Sequence, residues 1–217
     1  MTAADADTLS DDVRHALQRL PPPYLLRKYE ATEEDYESLA EEDLRCEYLD
    51  GVLIVHSPAT MDHEDRIIFL ATLLNSFVAA RNLGRVFGSN AVMQLGRRRF
   101  CPDLSFLSTR HAGRIQGGRL MGPFDLVVEM VSRSTREYDL SEKRQAYHDG
   151  QVPEIWMFDA ERRSCIVDLL ETGQYRTLTL SSGRFDSRVL PGLSIDVDWL
   201  WADPLPNPLE CLRAATS

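Results

Sequence analysis

The segment LVVEMV, residues 126–131, is an apolar run interrupted by a single carboxylate, Glu129. Its length and valine content favour a strand, and because it is apolar at odd and even positions alike, both of its faces must be covered. A helix-like segment, residues 139–147, separates it from another strand-like run, EIWMFDA. A doubly covered strand followed by a helical crossover predicts an α/β fold with a mixed β-sheet core flanked by helices.

Other local patterns fit this class. Thr32 precedes an acidic first turn and predicts the start of a short helix, and Asp50-Gly51 between two strand-like runs predicts a hairpin with Glu47 on its first strand. Apolar residues recur at helical spacing over 62–81, which predicts the longest helix. Further strands are predicted in GRVFGS, AVMQL, PDLSFLS and SCIVDLL.

The 217 residues, 43% of them hydrophobic, can bury one core. We expect a partly disordered N-terminal extension over 1–30, one domain over 31–200 and a C-terminal tail over 201–217. The first dozen residues are acidic and polar, and no run of eighteen apolar residues occurs, so we expect neither export nor a membrane span. The four cysteines are scattered, which is typical of reduced thiols in a cytoplasmic protein.

Charge is distributed unevenly along the chain. The net charge is -10, yet residues 81–144 contain twelve Lys and Arg against six Asp and Glu, a local +6. One interpretation is a phosphate-binding surface, in which Arg97 to Arg99, Arg133, Arg136 and Arg144 gather around a cleft. The other is an ordinary solvated surface, because clustering in sequence need not mean clustering in space.

Glu129 raises the main chemical question. Strand periodicity places it on the same face as Val127 and Val131, where an unpaired ionised carboxylate would be costly, so it needs a cation, a proton or a wet cleft. Asp103 opens the strand PDLSFLS, and if the two strands are neighbours these acids converge as oxygen ligands suited to Mg²⁺. A shared site predicts that at least one of them has a raised pKa. Separate capping or ion-pair roles are the alternative.

Lys143 is unusual because only it and Lys28 are lysines among twenty-four basic residues. Lysine is a compact charge with a tunable pKa, whereas arginine is a planar fork that stays protonated. With Asp139 as N-cap and Glu142 as its N3 partner, Lys143 would lie in the first helical turn, where the helix dipole disfavours a cation. It is either a site residue or a surface lysine.

Taken together, PDL at 102–104, DLVVEMVSRST at 125–135, DLSEKRQAY at 139–147 and VPEIWMFD at 152–159 resemble the Uma-two family of restriction-endonuclease-like proteins. CEYLDGVLIVHSP and His63 extend the match, which covers roughly 47–159. That family is assigned to the PD-(D/E)XK nuclease superfamily, so the resemblance implies a restriction-endonuclease-like fold and makes 31–200 the nuclease-like domain.

The resemblance also implies roles. Asp103 would be the aspartate of the PD motif and Glu129 the (D/E) position, with Mg²⁺, or alternatively Mn²⁺, between them. The lysine expected two residues after Glu129 is replaced by Val131, and Lys143 on the following helix is the matching position.

Weaker candidates surround these. Glu47 is either a third acid completing the metal shell or an exposed cross-strand partner. His63 is either a ligand or a cap, and Tyr147, four residues after Lys143, either reaches the cleft or fills the core. Ser132 and Ser134 are expected to shape the turn into the helix. We therefore predict Asp103, Glu129, Lys143 and Glu47 as catalytic residues and the first two as metal ligands.

The predicted function is a Mg-dependent endodeoxyribonuclease that hydrolyses phosphodiester bonds. DNA is the expected partner, no membrane is expected, and a cutter of both strands could be a homodimer. Two alternatives remain open: a non-catalytic nucleic-acid or protein-binding module on the same fold, and a hydrolase of small phosphate esters.

Overall fold

The computed structural model describes residues 13, 15–17, 19–40 and 44–215. Their helices are α1 (Glu33–Ala40), α2 (Met61–Ala80), α3 (136–149), α4 (Asp198–Trp201) and α5 (Pro208–Ala215). The strands are β1 (Leu25–Lys28), β2 (Cys46–Leu49), β3 (Val52–His56), β4 (Gly84–Gly88), β5 (Met93–Leu95), β6 (Arg98–Phe100), β7 (Leu104–Ser108), β8 (Ile115–Gln116), β9 (Arg119–Met121), β10 (Leu126–Met130), β11 (Glu154–Asp159), β12 (Ser164–Glu171), β13 (Gln174–Leu180), β14 (Arg184–Asp186) and β15 (Ser194–Asp196).

The central sheet has six strands in the order β13-β12-β11-β10-β7-β4. Strands β10 and β11 are parallel, joined by α3, and the other pairs of this sheet are antiparallel. The alternate residues of β10 point to different cores, as predicted: Val128 packs with α2 on one face, and Val127 packs with α3 on the other. The predicted mixed α/β architecture is confirmed.

A second, seven-stranded sheet in the order β1-β3-β2-β6-β5-β9-β8 covers the α3 side. Its centre includes the predicted hairpin, in which Asp50 and Gly51 have positive φ angles of 49° and 89°. Two consecutive positive φ angles define the type I′ turn that matches the twist of a hairpin. The hairpin holds Glu47 against α3, where Lys143 and Tyr138 reach its carboxylate.

Both ends of the predicted domain meet structured segments. Residues 1–12, 14 and 18 of the predicted N-terminal extension lie outside the described residues, whereas Leu25–Lys28 forms β1 and pairs along β3. In the predicted C-terminal tail, α5 buries Cys211 and Ala215 in the same core as α2. All four cysteines are free and buried. No described helix has the length and apolar character needed to cross a membrane.

Helix α3 differs from its prediction. It begins at Arg136 after Thr135, so Asp139 is not its N-cap, and Lys143 lies in the middle of the helix. The stretch Asp139–Lys143 is a π-helical turn between α-helical turns. The predicted cap fails because Ser132 and Thr135 form the turn before the helix, while Asp139 is buried on the side that faces the hairpin.

Candidate active site

A narrow pocket of about 60 Å³ lies where β7 begins and β10 ends, beside the hairpin and the first turn of α2. Its floor is made of charged side chains that are almost wholly buried, and its mouth is made of exposed small residues. The charged or ionisable residues that line it are Arg45, His56, His63, Asp103, Glu129, Asp139 and Lys143. Two predicted acids and the predicted lysine therefore share one pocket.

Asp103 is fixed by hydrogen bonds on both oxygens. Its Oδ1 accepts from Arg45 Nη2 at 2.6 Å, and its Oδ2 accepts from the Met130 amide at 2.8 Å and lies 3.4 Å from His63 Nε2. Burial alone would raise the pKa of Asp103, but His63 and Arg45 hold it well below its usual range. The Met130 bond ties Asp103 to the residue that follows Glu129, and the two strands are neighbours, which is the condition for the two acids to converge.

Glu129 is 2% exposed and is held on one oxygen. Its Oε1 accepts from Lys143 Nζ at 2.8 Å and from the Tyr147 hydroxyl at 2.5 Å. No described residue donates a hydrogen bond to Oε2. Burial, with Asp103 adding repulsion, raises the pKa of Glu129 to about 8 despite the charge of Lys143. One acid of the pair thus has the raised pKa that a shared site predicts.

Lys143 bridges two glutamates. Its Nζ lies 3.0 Å from Glu47 Oε1 and 2.8 Å from Glu129 Oε1, and the residue is 1% exposed. Although burial opposes the charge, Glu129 and Glu47 together raise the pKa of Lys143 above its usual value. Lys143 is therefore a buried, permanently charged group, and its interpretation as a surface lysine is wrong.

Glu47 is wholly buried, so its interpretation as an exposed cross-strand partner is wrong. Its carboxylate also accepts hydrogen bonds from the Cys101 amide at 3.0 Å and the Tyr138 hydroxyl at 2.9 Å, and it lies 3.1 Å from His56 Nε2. Burial is outweighed by Lys143 and His56, which hold the pKa of Glu47 well below its usual range. With four partners in place, Glu47 anchors Lys143 rather than offering a free oxygen.

The charge balance of the floor fits a divalent cation. Four carboxyl groups, those of Glu47, Asp103, Glu129 and Asp139, face two cations, Arg45 and Lys143, so the formal charge is -2 when all four are ionised and the histidines are neutral. Burial, with Asp103 adding repulsion, raises the pKa of Asp139 to about 6 despite the charge of Lys143. The described residues contain no group of three or more His, Cys, Asp or Glu placed to hold a metal alone. Asp103 and Glu129 fit Mg²⁺, which commonly takes one or two carboxylates and completes its shell with water and substrate.

Sequence reasoning missed several partners. Arg45 was not singled out, His56 and Tyr138 were not given roles, and Asp139 was taken for a cap. The available signal for Asp139 was its place four residues before Lys143, which puts both side chains on one helical face. Arg45 gave no local signal, because its partner Asp103 is 58 residues away.

The predicted gathering of arginines around the cleft is not observed. None of the predicted arginines lines the pocket. Most are paired with acids elsewhere: Arg97 and Arg99 with Glu33, Arg98 with Asp50 and Asp149, Arg136 with Asp159, and Arg144 with Asp168. Arg133 is exposed beside the mouth of the pocket. The excess positive charge of this stretch is thus largely neutralised by acids from other parts of the chain.

Comparisons with known proteins agree with this fold. The model of the Uma2 family, described as "Putative restriction endonuclease", matches residues 33–198. A solved structure described as a "putative nuclease belonging to DUF820" from Anabaena variabilis ATCC 29413 superposes with a TM-score of 0.67 and 16% sequence identity, covering 78% of this chain and 97% of that one. No curated protein matches this chain. The family model matches more than half of this chain, including every predicted site residue. The chain therefore belongs to the Uma2 family of restriction-endonuclease-like proteins.

Proposed function

We propose that the pocket hydrolyses phosphodiester bonds of DNA and that it uses a divalent cation, Mg²⁺ or Mn²⁺, held by Asp103 and Glu129. The observation that carries the proposal is the arrangement around Glu129, whose free oxygen faces a pocket that also contains Asp103 and Lys143. A bound cation would act as a Lewis acid toward the scissile phosphate.

The chain's own groups do the positioning. The Met130 amide and Arg45 fix Asp103, while Tyr147 and Lys143 hold one oxygen of Glu129 and leave the other toward the pocket. Lys143 Nζ, anchored by Glu47, is a fixed positive charge beside the place where negative charge develops as the phosphate is attacked. Preorganised charge of this kind does not have to reorganise during the reaction, which is the main source of its effect on rate.

The size of the pocket favours a polymer over a small ester. Pockets that enclose a small-molecule substrate are typically about 300–1,000 Å³. The volume here, about 60 Å³, suits the phosphate group and leaves the remainder of the substrate outside. Three cationic or ionisable donors, Arg45, His63 and Lys143, lie near the pocket's acids and could contact the phosphate, while a bound divalent cation would offset the net negative charge of the cluster.

Plasmid cleavage tests the proposal. The protein is incubated with supercoiled plasmid and Mg²⁺, Mn²⁺ or a chelator, beside Glu129→Gln purified in the same way and a chromogenic phosphodiester as second substrate. We expect nicked or linear plasmid with metal, and none with chelator or with the variant. Turnover of the chromogenic diester alone would favour the small-ester hydrolase, and plasmid binding without cleavage of either substrate would favour the binding module.

A further inference from the structure

The shape of the pocket bears on which form of DNA can reach its floor. Asp103 and Glu129 are 4% and 2% exposed, so a phosphate must descend past the mouth before it meets them. By contrast, an open groove beside Phe87 and Phe124 has a volume of about 530 Å³. The candidate site therefore admits a single narrow group and has no broad cleft.

The mouth is held on both sides. On the hairpin side, the Ser57 amide donates to the Tyr24 carbonyl at 3.2 Å, and Thr60 accepts from the His63 amide as the N-cap of α2. On the α3 side, Ser132 Oγ lies 2.9 Å from Thr135 Oγ1 and 3.1 Å from Ser134 Oγ. These hydrogen bonds lie within each wall, so the local shape of both walls is fixed.

The cationic side chains of the pocket are also directed toward its floor. Of the described residues that line the pocket, Arg45 and Lys143 are the only Lys or Arg, and each is engaged with an acid of the floor. Duplex binding draws most of its affinity from cations that contact phosphates along both strands. The arginines that might have supplied such contacts are paired elsewhere, apart from Arg133. These five paired arginines therefore do not add a second cationic flank to the pocket.

We propose that the phosphate cleaved in this pocket belongs to an unpaired strand: single-stranded DNA, or the unpaired arm of a fork or flap. This inference rests on the proposed nuclease function and names its substrate class. In duplex DNA each phosphate is held in line with its neighbours and beside the paired strand, so bringing one to a buried floor requires local bending, kinking or unpairing, which costs free energy. An unpaired strand bends at each nucleotide and can present one phosphate to the floor.

A forked oligonucleotide tests this within one molecule. Each strand is end-labelled in turn, and the sites and rates of cutting with Mn²⁺ are compared for the fork, the fully paired duplex and the labelled strand alone. Because unpairing has a substantial free-energy cost, we expect cutting in unpaired DNA to be faster than in paired DNA by about tenfold or more. Cutting at equal or higher rates in the paired region would overturn the inference and leave the nuclease function intact. No cutting of any substrate beyond the Glu129→Gln background would overturn both.

A variant of the mouth adds an independent readout. Ala59 is an exposed residue that lines the pocket, and Ala80 is an exposed residue at the end of α2 that lines none of the pockets described above. Ala59→Trp should slow cleavage of the single strand by about tenfold by obstructing entry, whereas Ala80→Trp should stay near the parent rate. Equal rates for the two variants would show that the strand does not pass this mouth.

Discussion

Two buried glutamates on the parallel pair β10 and β11 differ in their hydrogen-bond partners and in their access to a pocket. Glu129 lies near the carboxyl end of β10, and Glu154 is the first residue of β11, on the opposite face of the sheet. Glu154 is wholly buried and accepts four hydrogen bonds from neutral donors, namely Trp156 Nε1, Ser187 Oγ and the amides of Arg188 and Val189. Glu129 has donors on one oxygen only and borders a pocket.

The comparison shows that burial of an acid does not by itself indicate a site. Burial raises the pKa of both carboxyls, yet the donors around Glu154 fill its acceptor positions, as expected of a group that ties a loop to a strand. Glu129 keeps an open oxygen next to other acids at the carboxyl end of a parallel strand, where open α/β sheets bind their ligands. The open oxygen, the charge excess and the pocket together distinguish the candidate site from a structural acid.

The sharpest test of this difference is a pair of glutamine variants. Glu129→Gln should lower cleavage by about 10³-fold, because it removes a charged oxygen that faces the substrate, without lowering stability. Glu154→Gln should leave cleavage near the parent rate and lower the free energy of unfolding by about 1–3 kcal/mol, since an amide cannot accept all four hydrogen bonds. Urea unfolding and initial cleavage rates measure both. The comparison breaks if the two variants lose the same property.

The next largest effect on cleavage is expected when Lys143 is replaced by arginine. Lys143→Arg keeps the charge, but a planar guanidinium cannot occupy the buried position between Glu47 and Glu129, so cleavage should fall by about 10²-fold. Lys28→Arg on β1 is the matched control and should have no effect. Calorimetric titration with Mn²⁺ should show that metal binding survives in Lys143→Arg. Full activity of this variant would make Lys143 a structural residue only.

The pH dependence of stability separates the two glutamates more finely. The pKa of Glu129 is about 8 in the folded protein and about 4.3 when unfolded, so the folded state binds more protons between these values and stability falls as the pH rises. In chelator, the parent protein should therefore be less stable at pH 8 than at pH 6. In Glu129→Gln that decrease should be smaller, and in Glu154→Gln it should persist. A decrease of the same size in Glu129→Gln would assign the titration to another group.

The smallest effect is expected at the paired arginines. Arg97 is highly exposed, with its Nε 2.7 Å from Glu33 Oε1, and surface ion pairs of this kind contribute about 0–1 kcal/mol. Arg97→Gln should change neither the cleavage rate nor its salt dependence by more than about twofold. Rates measured from low to moderate salt would show it. A marked loss would restore the arginine-rich stretch as a DNA contact.

Local patterns predicted much of the fold. The type I′ hairpin depends on Asp50-Gly51 alone, and α2 depends on its own periodicity, so both were accessible from short stretches of sequence. The second sheet was not predicted as a separate layer, because strands such as β5 and β6 contain only three residues and show no clear alternation. Its existence depends on pairing with the distant β1 and β9.

In the candidate site, too, the residues with a local sequence signal were predicted and their long-range partners were not. Glu129 was found because a lone acid in an apolar strand has an evident cost, and Lys143 because lysine is rare in this chain. The network that holds them is non-local, since Arg45 reaches Asp103 and Tyr138 reaches Glu47 across 58 and 91 residues. The arginine surface was predicted wrongly for the same reason, because the acids that neutralise it come from other segments.

The π-helical turn of α3 determines the rotational phase of two tyrosines. Tyr138 and Tyr147 are nine residues apart, and at about 100° per residue an uninterrupted α-helix would place them on opposite sides. The wider turn between them takes up part of that rotation, so both hydroxyls reach the same cluster, Tyr138 at Glu47 and Tyr147 at Glu129. Straightening this turn at full length would turn one hydroxyl away from its acid, whereas deleting one residue, such as Ser141, would restore a regular helix with the two tyrosines about 80° apart. The irregular turn is thus what allows one helix to hold both glutamates.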